Sequence, residues 1–259
     1  MRRLAMAVVV AAMMVLSSCG RQVTGLNSPN SGLVQPGQMQ IQFETAAPID
    51  VQNFSYLIVF NTTGNNQQPF AQGLNSNYNS WTYFFVLGGG SSSTFGGTQY
   101  TNEPGLFQIF QNPATGSPQR YSIPLVPNQI VYVPQIPGGS TNGFEITFNR
   151  CLLDQQPPVA TPAPNPSPTP SPTPSGGGVT CPPGVYGEGN VWNISLFTLD
   201  STSSVVDSLS STGPNDTDYS FAVNAATLNG SKPYQKPVGA SAPQNLAAEI
   251  LGIQVFNNP

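Results

Sequence analysis

The chain has 259 residues, of which only 7% are charged, with no histidine and a net charge of −4. So few cations exclude nucleic-acid binding, which needs Lys and Arg to neutralise phosphates, and the missing imidazole removes the commonest general base and zinc ligand. A hydrophobic content of 38%, with 14 Phe and 9 Tyr, can still build a core beneath an uncharged polar surface.

Arg2 and Arg3 precede an unbroken apolar run from Leu4 to Leu16. As a helix this run would span about 20 Å, short of the roughly 30 Å hydrocarbon core, so it suits a signal peptide better than a permanent membrane span. The residues that close it, Leu16-Ser17-Ser18-Cys19, resemble the lipobox of bacterial lipoproteins. That resemblance, confined to the first 20 residues, implies cleavage after residue 18, a diacylglycerol on the Cys19 sulfur and acylation of the new amino group. It also implies a lipid anchor in the bacterial cell envelope. Gly20 follows the cysteine where members kept at the inner membrane often carry Asp, which favours the outer membrane. Each buried CH₂ contributes about 0.8 kcal/mol, so two or three acyl chains hold where one would not.

Residues 19–37 are rich in Gly, Asn, Ser and Pro without periodicity and read as a lipidated N-terminus on a flexible tether. From Met39 the pattern has period two: Met39, Ile41 and Phe43 alternate with Gln40, Gln42 and Glu44, the signature of a half-buried strand. Residues 54–60 and 81–87 are apolar on both alternating sets, as central strands are. Further strands are expected at 106–111, 121–126, 129–133, 143–149, 191–199, 219–223 and 249–256. Pro124 demotes one of these to an edge or bulge, and Trp192, Ile194 and Leu196 share a face of another. Turn clusters separate them and no helical periodicity intervenes. The expected fold is all-β, an antiparallel β-sandwich of roughly ten strands.

Residues 155–178 interrupt this pattern, with Pro at every second position from Pro162 to Pro174. Each X-Pro step excludes the α region for X, so the stretch must run extended. Cys151 and Cys181 flank it. With Cys19 lipidated they are an even remainder in an exported chain, which reads as a disulfide. Joined ends cannot space two domains. The expected organisation is a signal peptide (1–18), a tether (19–37) and one sandwich (38–259) with an inserted Pro-rich loop.

Little catalytic chemistry fits. Lipidation and pairing leave no thiolate, and Lys232 and Lys236 lie in a Pro-rich polar stretch with no Ser-x-x-Lys. Glu44 and Glu145 occupy polar strand positions that read as solvated faces, although a carboxylate pair can assemble only in the fold. Asp216 and Asp218 follow Gly213-Pro214 and could offer oxygens to calcium, but the run is foremost a good turn. The Gly-rich run 88–97 reads as a hairpin loop, since neither a Lys nor a following helix supports a phosphate cradle.

Asn77, Tyr78, Asn79 and Trp81 place aromatic rings beside amides, the composition of a sugar-binding surface; the plainer reading puts Trp81 at the start of a strand, facing the core. No cofactor or catalytic residue is expected. The expected function is a non-enzymatic, lipid-anchored binding or structural module of the envelope, with a glycan or an envelope protein as partner. Its rivals are a carboxylate-pair hydrolase and an accessory lipoprotein of a larger envelope complex. Without His, stability should be nearly flat from about pH 6 to 8.5 unless a carboxylate is strongly shifted.

Overall fold

A computed structural model describes residues 34–74, 77–89, 99–112, 115–125, 129–153, 191–209, 221–236 and 242–259. These form twelve strands, with a 3₁₀ turn at Arg150–Leu153. Every pairing between the strands is antiparallel. In chain order the strands are β1 (Gln38–Thr45), β2 (Ser55–Asn61), β3 (Tyr83–Gly88), β4 (Tyr100–Gln111), β5 (Pro118–Ser122) and β6 (Ile130–Val133). Then follow β7 (Gly143–Asn149), β8 (Val191–Leu199), β9 (Val205–Ser208), β10 (Phe221–Asn224), β11 (Gly230–Gln235) and β12 (Ile250–Asn258).

Two sheets pack face to face. One has the order β11-β12-β1-β7-β6; the other runs β10-β8-β2-β3-β4-β5, with β9 also paired to β8. The fold is therefore the expected antiparallel sandwich. Strands from either side of residues 154–190 interleave in both sheets, β1 pairing with β12 and β2 with β8.

Alternation explains the core. Met39, Ile41 and Phe43 of β1 meet Phe144, Ile146 and Phe148 of β7 and Ile253 and Val255 of β12, and all face the second sheet. That sheet answers with Tyr56, Ile58, Phe60, Phe85, Trp192, Ile194 and Leu196. Phe60 packs edge-on against Phe85, Phe148 and Trp192, a geometry aromatic quadrupoles favour. β2 and β3 are central, as their doubly apolar pattern predicts. Their other face carries Leu57, Val59, Phe84 and Val86, which would stand in water if nothing covered them. The β2–β3 connection covers them: Leu74, Tyr78 and Trp81 fold back to form a second, smaller core with Phe107, Phe197 and Leu199.

β9 and β11 were not anticipated. β9 is only four residues long, and β11, sequence GSKPYQ, has no apolar alternation and contains Pro233. It sits at a sheet edge, where a missing N–H is tolerated. Gly143 opens β7 because a side chain there would run into the Phe43 carbonyl oxygen, and its φ of +149° suits glycine.

Candidate functional site

The aromatic-amide stretch does not form a sugar-stacking surface. Tyr78 and Trp81 are 8% and 4% exposed, and Trp81 lies parallel to Phe197 with ring centroids 5.7 Å apart. The Trp81 Nε1–H donates to the Phe70 carbonyl at 2.8 Å, and the Tyr78 hydroxyl donates to the Leu74 carbonyl. Both polar handles are thus spent inside the loop. Asn77 and Asn79 remain exposed. The plainer reading of Trp81 is the correct one, because the loop's aromatics are what closes the second core.

A second group of polar side chains lies buried on the other sheet. The polar residues of β1, which the alternation places in solvent, are buried: Gln42 is 0% exposed, and Gln40 and Glu44 are 5%. They lie on the outer face of the five-stranded sheet. The register puts Gln40 opposite Phe256 and Gln42 opposite Gln254 on β12, with Thr147 and Glu145 at the same levels on β7. Phe256, only 1% exposed, belongs to neither apolar core.

The hydrogen bonding of this face is one-sided. Gln40 Nε2 donates to Glu145 Oε1 at 2.5 Å and Gln42 Nε2 to Glu145 Oε2 at 2.9 Å, so one carboxylate bridges two amides. The Oε1 atoms of Gln40, Gln42 and Gln254, and Oε2 of Glu44, are buried and accept no hydrogen bond from the described residues. The residues directly opposite Glu44 are Gly143 and Gly252, which have no side chain to donate. Leaving a buried acceptor unsatisfied costs about 1–3 kcal/mol.

Glu44 and Glu145 are thereby brought onto one face, on diagonal positions of neighbouring strands. Burial pushes the Glu44 carboxyl up from 4.5 to about 7. The folded state then holds the proton more tightly than the unfolded chain, so Glu44 imposes no penalty below about pH 4.5. Stability should fall as pH rises from there to about 7, by roughly 2–3 kcal/mol in all, and then level off. This is the shifted carboxylate that breaks the flat pH profile expected of a chain without His. Melting temperatures between pH 4 and 8 should show that slope reduced in Glu44→Gln; equal slopes in both proteins would refute it.

Lys236 was read as part of a polar stretch, but it is buried. Its Nζ stands 2.6 Å from Asp207 Oδ1, with the two side chains 4% and 1% exposed. Asp207 Oδ2 also accepts the Ile250 N–H at 2.7 Å, so the pair ties β9 to the start of β12 across the two sheets. Burial raises the Asp207 carboxyl, against the opposing pull of Lys236 and the Ile250 N–H. Its position at the seam marks it as structural. Sequence could not reveal it, since the partners lie 29 residues apart.

Cys151 is buried on the 3₁₀ turn, while Cys19, Cys181, Asp216, Asp218 and the Pro-rich residues 155–178 lie outside the described residues. Among the described residues no group of three or more His, Cys, Asp and Glu could hold a metal, and no helix is long and apolar enough to cross a membrane. One sheet edge is β6, whose Val131 and Val133 are exposed.

No known protein family, curated protein or solved structure matches this chain. Its function has to be read from its own residues.

Proposed function

We propose that the protein is a lipid-anchored, non-enzymatic binding module of the bacterial cell envelope, placed at the outer membrane. The observation that carries this reading is the N-terminal sequence itself: two arginines, a short apolar run, and Leu16-Ser17-Ser18-Cys19. The fold is compatible with a tether at that end. Asn258 Nδ2 donates to the Val34 carbonyl at 2.8 Å, and the Gly37 N–H donates to the Asn258 carbonyl at 2.8 Å. The Arg150 N–H donates to the Gly37 carbonyl at 3.0 Å. The chain is thus pinned where β1, β7 and β12 share one end of the sandwich. In this proposal the stretch of the 19–37 tether that precedes Val34 would, as a flexible coil, reach about 20 Å root-mean-square. It would hold that end towards the bilayer, with Gln40 nearer the membrane than Glu44.

The test is metabolic labelling with an alkyne fatty acid in a bacterial host, followed by membrane fractionation. Wild-type protein should take up label, gain the mass of a diacylglycerol and an acyl chain at its N-terminus, and sediment with outer membranes. Cys19→Ala should remain unlabelled. Equal labelling of both, or none of either, rejects the anchor.

The same reading makes residues 38–259 one sandwich, with 155–178 as an inserted loop closed by a Cys151–Cys181 disulfide. The interleaving of strands in both sheets supports it, because neither half owns a complete sheet. Closing a loop of this length would stabilise the fold by roughly 3.5 kcal/mol in the chain-entropy model. Reductant should lower the urea midpoint accordingly, with one cooperative transition retained. Two independent transitions after reduction would reject the single-domain reading. The rival carboxylate-pair hydrolase would use Glu44 and Glu145, and release of reducing ends from a glycan would mark it.

A further inference from the structure

We propose that β6 is the docking edge for a second copy of this chain. The two β6 strands pair antiparallel about a two-fold axis, so that the five-stranded sheets of both copies run on as one. This goes beyond the reading above and rests neither on the lipid anchor nor on a binding role.

A strand at the edge of a sheet presents unpaired N–H and C=O groups, and proteins blunt such edges with Lys, Pro or a covering contact. The described edges of this sandwich are treated unequally. β11 contains Lys232 and Pro233. The Lys232 Nζ donates to the Ala222 carbonyl of β10 at 2.5 Å and lies 5.0 Å from the Phe221 ring centroid. Lys236, just past β11, reaches Asp207 of β9 at 2.6 Å. One side of the sandwich is thereby closed across its two sheets.

The same contacts put β5 and β6 together on the opposite side. β5 carries Pro118 and Arg120. β6, sequence IVYV, carries neither a charge nor a proline, and no described strand pairs with its far side. Its Val131 and Val133 are 52% and 38% exposed, and Tyr121 of β5 is exposed as well. Three of the five large apolar side chains that stand exposed among the described residues therefore lie along this one side.

Charge selects the occupant. No residue from Tyr121 to Phe144 is charged, so nothing here steers or holds an acidic or a basic partner. Two copies of a chain with net charge −4 repel where their carboxylates meet, and this neutral stretch avoids that. Glu145, one strand in on β7, would stand three strand spacings from its counterpart. That is about 14 Å, beyond the Debye length of about 8 Å at physiological salt. The edge is also its own complement. Opposite residues of an antiparallel pair share a face, so pairing centred on Tyr132 sets Val131 against Val133 of the second copy. Four valines then form one strip of β-branched cross-strand neighbours, which stabilise a sheet. Such an isologous contact closes at two copies. Pro134 follows directly on the four residues of β6, so the contact is short and the dimer belongs to the weak, micromolar class.

Sedimentation equilibrium of the full-length protein in density-matched detergent tests this across micromolar concentrations. Wild-type protein should pass from one to two chains per particle as concentration rises, and amide exchange in residues 129–134 should slow in step. Val131→Lys and Val133→Lys each put a cation at the pairing edge, on side chains exposed enough for the fold to tolerate it. Each should weaken dimerisation at least tenfold. Ser231→Lys, at the other edge of the same sheet, should leave it unchanged. Thermal melting shows which variants are folded. Wild-type protein that stays monomeric, assemblies that grow beyond two, or dimerisation unchanged in both folded β6 variants overturns the proposal. So does a dimer that Ser231→Lys weakens equally. Monomers whose 129–134 amides are protected at every dilution would give this edge to another occupant, and also overturn it.

Discussion

Lys236→Met should destabilise the protein by about 3–5 kcal/mol, the usual cost of leaving one member of a buried ion pair alone. Asp207 would keep the Ile250 N–H at 2.7 Å but lose its only described cation, in a site where its side chain is 1% exposed. The double variant Asp207→Asn/Lys236→Met should recover most of that loss. Asn retains an oxygen for the Ile250 N–H and carries no charge to bury. Urea unfolding of the wild type, both single variants and the double variant gives the coupling energy, expected at 2 kcal/mol or more on the order of other buried charge pairs. The single-variant penalty should also shrink as pH falls, since protonating Asp207 removes the stranded charge. If the penalties of the two single variants simply add, Lys236 and Asp207 do not work as a pair.

Trp81→Ala is the second large effect. A fully packed indole replaced by Ala costs about 3–5 kcal/mol, whereas an aromatic standing in water would cost within about 0.5 kcal/mol. Trp81 contacts Tyr78, Phe84 and Phe197 and closes the loop through its bond to Phe70, so the larger value is expected. The loss should be local in character. β2 and β3 keep their contacts to the main core, while Leu57, Val59, Phe84 and Val86 become exposed on the other face. Hydrogen exchange would then accelerate first in the β2–β3 connection. A Trp81→Ala protein with unchanged stability would return this residue to the list of possible ligand contacts.

Apolar patterning placed nine of the ten expected strands and separated two kinds, while the one expected at 121–126 meets β5 (Pro118–Ser122) only at Tyr121 and Ser122. β1 shows one apolar set; β2 and β3 show two, and a strand that is apolar on both sides has to be covered on both. Alternation says that two faces of a strand differ, but not what lies over each. This is why Gln40, Gln42 and Glu44 read as solvated and are buried, and why Tyr78 and Trp81 were offered as sugar contacts although they seal a second core. The short or polar edge strands β9 and β11 escaped notice because their positions are set by β8 and β12, not by any apolar period of their own.

What the sequence determined by itself is the all-β class, the central strands and the residues of the main core, since these follow from local chemistry repeated along a chain. The lipobox-like sequence Leu16-Ser17-Ser18-Cys19, on which the proposed anchor rests, is local too, and reading it needs no fold. Strand partners, by contrast, are set by contacts between distant residues. Only the tertiary structure could pair β1 with β12, join Asp207 to Lys236, or gather Gln40, Gln42, Gln254, Glu44, Glu145 and Phe256 onto one face. A buried polar cluster built from three strands far apart in the chain leaves no mark on any one of them.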